Sequence, residues 1–107
     1  MNPFEKATVL NFAQQVEYAQ GGIISKQILK NEAGNLTLFA FDQGQGLSEH
    51  TAPFDAVVQI LDGEAEVRID GHPLRLKAGE SVIMPAHRPH ALSAPLPFKM
   101  LLTMIKG

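Results

Sequence analysis

Residues 56–77, AVVQILDGEAEVRIDGHPLRLK, decide the fold class of this chain. Ala65, Val67 and Ile69 alternate with Glu64, Glu66 and Arg68, and Leu74 and Leu76 alternate with Arg75 and Lys77. That period of two belongs to strands with one buried and one wet face. The stretch also holds two Asp-Gly pairs, Asp62-Gly63 and Asp70-Gly71. Such pairs suit two-residue hairpin loops, whose central residues both need positive φ. The spacing therefore predicts three consecutive antiparallel strands, at 56–61, 64–69 and 73–77. The first is apolar at nearly every position, which predicts a strand covered on both faces. Gln59 is its polar exception and needs a hydrogen-bond partner if it is buried.

Working outward, the same grammar repeats. Towards the N-terminus, Leu36–Phe41 (LTLFAF) and Ile23–Lys30 read as strands joined by a turn at Asn31–Asn35. Residues 43–46 (QGQG) form a further break. Asn11 followed three residues later by Gln14, with Phe12 and Val16 one helical turn apart, predicts a short helix near 11–17 that ends at Gly21-Gly22. Towards the C-terminus, Ser81–Met84 is a short strand stopped by Pro85. Residues 85–89 (PAHRP) are a stiff connection, and His90–Ser93 restarts a strand before Pro95 and Pro97. Phe98–Ile105 closes the chain, with Phe98, Met100, Leu102 and Met104 on one face. Many short strands, frequent turn signals and no long helix give an all-β sandwich or small barrel.

Bulk properties narrow the function classes. The 107 residues make one domain, 1–107, of 45% hydrophobic and 19% charged residues. The net charge of −2 carries no basic footprint for nucleic acid. There is no cysteine, hence no disulfide framework and no thiolate metal site. No apolar run is long enough for a signal peptide or a membrane span, so a cytoplasmic protein without a membrane partner is expected. A core this small gains from a second copy, and a homodimer is expected. Ser48 and Ser81 sit in no nucleophile turn, and no catalytic residue is assigned.

Two stretches, 44–63 and 79–94, carry a recognisable pattern. The chain resembles the small single-domain cupins, whose fold is a jelly-roll β-barrel. The family's first motif is Gly, five residues, His-x-His, three or four residues, Glu, six residues, Gly. Gly44, His50 and Gly63 match it, while Ala52 stands for the second His and Ala56 for the Glu. The second motif is Gly, five residues, Pro-x-Gly, two residues, His, three residues, Asn. Gly79, Pro85 and His90 match, with His87 for the Gly and Ala94 for the Asn. The resemblance implies a jelly-roll barrel, to which the residues at 11–17 add a short N-terminal helix, and it implies two of the usual four metal ligands, His50 and His90.

These residues lead to three functional readings. The first is a binding module: Ala52 and Ala56 shorten the side chains where ligands would sit, and an apolar lining that includes Val58 receives a small molecule beside His50 and His90. The second is a reduced metal site on His50 and His90, taking Zn, Fe, Mn or Ni for dioxygenase-like or isomerase-like chemistry. Two ligands are fewer than a stable site normally uses. The third is a dimeric accessory or regulatory domain without a ligand. His87 lies in a constrained loop and is a lesser candidate for the site. His72 is expected at the surface, Glu49 on the rim, and Asp55 is a candidate carboxylate.

Overall fold

A computed structural model describes residues 4–106, and its described strands join in one curled antiparallel sheet. The strands are β1 (Ile23–Asn31), β2 (Gly34–Phe41), β3 (Gly46–His50), β4 (Asp55–Ile69), β5 (His72–Lys77), β6 (Ser81–Met84), β7 (His90–Ser93) and β8 (Phe98–Ile105). The N-terminal half of β4 pairs with β6 and β8, and β8 continues through β2 to β1. Its C-terminal half pairs with β5 and β7, and β7 continues to β3. One long strand thus belongs to both walls of a jelly-roll barrel, and the walls close over a common core.

This corrects the first expected hairpin. Asp62-Gly63 is no turn: β4 runs through it for 15 residues. Dihedral angles explain why the two Asp-Gly pairs differ. Asp70 and Gly71 both take positive φ, 52° and 79°, as a tight hairpin requires, and Ile69 pairs with His72 across the turn. At the first pair only Gly63 does, at 76°. One left-handed residue makes a bulge, and the register against β8 shifts there, between Ile60 and Asp62. The bend carries β4 from one wall to the other. Gly63 is also pressed onto the chain before β8, where any Cβ would collide with the carbonyl oxygen of Pro97.

The inner faces supply the main core. Ala56, Val58 and Ile60 from β4 pack with Phe41, Met84, Leu92, Phe98 and Met100. The rings of Phe41 and Phe98 stack with centroids 4.5 Å apart and planes 8° from parallel. A second cluster lies outside the β1-β2-β8-β4 wall, where Phe4 and Val16 from the N-terminal segment cover Ile28, Leu38, Ala40 and Leu101. The segment is fastened by the Tyr18 hydroxyl, which donates to the Asp62 carboxylate at 2.5 Å. Burial, and then that carboxylate, hold the phenol protonated well beyond its usual range.

The helix expected at 11–17 is a single 3-10 turn, Phe12–Gln14. Its bonds run from Gln14 to Asn11 and from Gln15 to Phe12, and the Asn11 side chain caps nothing. The apolar pair behind that expectation is real, since Val16 is fully buried and Phe12 packs on the same cluster. Packing on the sheet, not helix propensity, sets the local path. The β1–β2 turn is tighter than expected, with Glu32 and Ala33 between the strands and the Asn31 side chain accepting from the Ala33 amide at 2.8 Å. Strand 56–61 is fully covered on its inner face only: Val57 and Leu61 are half-buried and Gln59 is exposed.

Replacing Gly63 by alanine tests the bend. Left-handed φ costs a residue with a Cβ about 1–2 kcal/mol, and the Pro97 collision adds to it. Gly63→Ala is expected to lower unfolding free energy in urea by about 2 kcal/mol or more. Gly71→Ala, which meets nothing within 4 Å, is expected to show the backbone cost alone.

Candidate functional site

The two motif histidines meet at one end of the barrel. His50 ends β3 and His90 begins β7, and the two are cross-strand partners. His90 has the same strand parity as Leu92, so it points inward, and it is 5% exposed. An irregularity in the β3–β7 register between Leu47 and His50 brings His50 over it. The rings approach edge to face, with centroids 4.3 Å apart and an interplanar angle of 68°. The closest atoms are the two Nε2 nitrogens, at 3.1 Å.

The outer nitrogens fix what those atoms are. His50 Nδ1 lies 2.8 Å from the Ser48 carbonyl oxygen, and His90 Nδ1 lies 3.2 Å from that of Arg88. A carbonyl only accepts, so each Nδ1 carries the hydrogen. When both rings are neutral, each Nε2 then presents a lone pair, and two acceptors face each other. The arrangement is satisfied by something between or beside them that both can hold: a proton, a hydrogen-bond donor or a cation. Two protons are disfavoured by repulsion at this distance. Burial, chiefly, holds His90 below its ordinary value; charge on His50 adds to this, and the bond to the Arg88 carbonyl opposes it.

The loops beside the pair are pinned to each other. The His87 amide donates to the Ala52 carbonyl at 2.7 Å, and the Ala86 amide to the Asp55 carboxylate at 2.8 Å. Asp55 therefore clamps the 85–89 connection. His87 takes the position of a motif glycine and adopts the left-handed φ of 66° that a glycine would take without strain. Its side chain is exposed, as are His72 and Glu49. Ala52 is half-buried in the β3–β4 connection, while Ala56 and Val58 lie deep in the packed core. Ala56 sits in register between Met84 on β6 and Met104 on β8, so thioether side chains flank the place where the motif has a carboxylate. Among the described residues no group of three or more His, Cys, Asp or Glu is placed to hold a metal ion. Sequence reading picked out both histidines. It missed Ser48 and Arg88, because a backbone acceptor leaves no mark in a side-chain pattern.

Comparisons with known proteins agree with this architecture. The family described as Cupin domain matches residues 37–105. A crystal structure of a conserved protein of unknown function from Streptococcus pyogenes is 39% identical, with TM-score 0.93 over 99% of this chain and 93% of that one. A Cupin 2 conserved barrel domain protein from Leptotrichia buccalis is 42% identical, with TM-score 0.88 over 91% of this chain, which spans 47% of that protein. A cupin superfamily protein from Desulfitobacterium hafniense is 27% identical, with TM-score 0.90 over 98% of this chain and 95% of that one. No curated protein matches the chain.

The lowered proton affinity of His90 gives a signed expectation. The unfolded chain binds this proton more readily than the folded one, so stability rises with pH. The stability is complete above the unfolded value near 6.5 and falls as pH drops below it, levelling off at the lower folded value. One proton sets a ceiling of about 1.4 kcal/mol per pH unit. Urea midpoints measured from about pH 5 to 7.5 are expected to slope in this sense, and His90→Gln to flatten the slope. Equal slopes in the two proteins would contradict the burial argument.

Proposed function

The chain belongs to the cupin-domain family, and from that premise we propose that it binds a small molecule at the mouth of its barrel, with His50 and His90 as the polar anchor and without a tightly held metal. The observation that carries this reading is the 3.1 Å approach of two Nε2 atoms whose Nδ1 partners are both engaged by carbonyls. Two convergent acceptors above an apolar core suit a ligand with an apolar body and a hydroxyl or acidic hydrogen to donate. Val58 and Ala56 support the site from below as packed core, so the ligand sits at the rim and not deep in the barrel.

A second reading, a divalent ion on the same pair, draws on the same distance. Two imidazole nitrogens at bond lengths of about 2.0–2.1 Å from one ion stand about 3.1 Å apart when they subtend roughly 95–100°. The pair is thus spaced as two ligands about a right angle apart on one ion, a little closer than the roughly 3.3 Å of a tetrahedral zinc site, and water or the small molecule itself would complete the set. With Ala52 and Ala56 in place of two ligands, such an ion is held weakly and exchanges freely.

Equilibrium dialysis of purified, untagged protein against Zn, Ni, Mn and Fe(II) separates the two. The proposal expects less than one-tenth of an equivalent bound at about 1 μM free metal. It also expects the His50 and His90 ring signals in NMR to move when small hydroxy-aromatic and carboxylic acids are titrated in at constant pH. One equivalent of metal that survives dialysis and disappears in His50→Ala would overturn the metal-free reading. Ring signals that no compound moves would overturn the binding site.

A further inference from the structure

Arg88 meets the histidine site with both its backbone and its side chain. Its carbonyl lies 3.2 Å from His90 Nδ1 and orients that ring. Its guanidinium reaches the tip of the β4–β5 hairpin, where Nε lies 3.0 Å from the Asp70 carboxylate. The Asp70 amide ties the same tip to the same loop, donating to the Pro89 carbonyl at 2.9 Å. Pro89 also confines the backbone of the residue before it to extended conformations. The carbonyl that orients His90 and the guanidinium beside it are thus held in one fixed relation. The Arg88 side chain is nonetheless 60% exposed. Asp70 engages Nε, which leaves the terminal nitrogens, the fork that matches a carboxylate with two parallel bonds, for a further partner.

One apolar side chain separates the histidine pair from that tip. The register sets His50, His90, Ile69 and His72 in a single row across β3, β7, β4 and β5. Ile69 is half-buried against the core, and it is the residue before Asp70. Building on the small-molecule reading of this site, we infer that the ligand is a hydroxy acid. Its hydroxyl donates to the paired Nε2 atoms, its apolar body lies over Ile69, and its carboxylate is received by Arg88. Neighbouring strands stand about 4.8 Å apart, so His90 and His72 are about 10 Å apart along the row. The hydroxyl and the carboxylate are then one to two strand spacings apart, about 5–10 Å. A phenol ring with a short acid side chain spans that distance. Asp70 is a positioning residue: it touches no ligand and holds the plane of the guanidinium. It and the incoming carboxylate use different edges of the same group, so they do not compete for the same nitrogens. A guanidinium held in place before the ligand arrives loses little freedom on binding.

Two matched probes test this, para-hydroxyphenylpropionate and its methyl ester. Each is titrated at about pH 7.5 while the His50 and His90 ring signals are followed by NMR. The wild type is expected to bind the acid about 10-fold more tightly than the ester, as a charge-assisted pair of bonds to a guanidinium supplies. Arg88→Met keeps the backbone carbonyl that His90 uses. In that variant the acid is expected to fall to the affinity of the ester, and the ester to bind as it does to the wild type. Asp70→Gly removes the carboxylate and takes the left-handed φ of 52° without strain. It is expected to reduce the preference for the acid without abolishing it. An ester bound by the wild type as tightly as the acid, or a preference that survives Arg88→Met, would overturn the hydroxy-acid assignment and leave the mouth a binding site. Ring signals that neither probe moves would overturn the binding site itself.

Discussion

The backbone at Gly63 is the constraint on which the barrel depends. β4 must leave one wall and enter the other without ending, and it must do so where the chain before β8 passes against it. Positive φ and the absence of a Cβ meet both demands at once. Everything nearer the site follows from that bend. The second half of β4 presents Ile69 to His90, and β7 in turn presents His90 to His50. Had the chain turned back at Asp62-Gly63, β4 could not have paired with both β8 and β7, and the β3–β7 pair that carries the histidines would not be joined through β4 to the other wall.

Two properties of the site then come from backbone groups. The carbonyls of Ser48 and Arg88 take one nitrogen of each ring, and this decides which nitrogen faces the partner. Imidazole chemistry follows the nitrogen left free. A histidine pair held in this way accepts; it has no hydrogen to give until one is supplied. The alanines at 52 and 56 take away the other groups that the motif would aim at the same point, and among the described residues no carboxylate joins the pair to make a three-ligand set. Met84 and Met104 on either side of Ala56 replace a charged neighbour with polarizable, uncharged ones. On the proposed function, this makes the site less suited to neutralising a dication than to meeting a ligand that brings it an apolar body and one donor.

Much of this was legible in the residues. The period-two alternation of 64–69 gave a strand with the right faces, in 74–77 only Leu76 is buried while Leu74 stands exposed, and the last strand buries Phe98 and Met100 as its alternation requires. Motif spacing brought His50 and His90 together although forty residues separate them. The misreadings have a common physical origin. Asp62-Gly63 and Asp70-Gly71 are the same dipeptide, and the difference lies in the φ of the aspartate, which neighbouring strands impose. The segment at 11–17 has a helical apolar spacing but too few residues to hold a helix against the pull of the sheet beneath it. The pairing of Leu29 with Leu36 and of Val57 with Ile83 depends on which strands are neighbours, and no local pattern encodes that.

The ligand chemistry of the pair depends on the orientation of the two imidazoles. Nitrogen-15 NMR of the ring nitrogens, in the ligand-free protein at about pH 7.5, reads it directly. His50 and His90 are each expected to show a hydrogen-bearing Nδ1 and an unprotonated Nε2, with both Nε2 signals moving when a donor ligand or a metal ion is added. A hydrogen on Nε2 of either ring at that pH would contradict it, because the pair would then be a closed hydrogen bond with nothing left to offer a ligand.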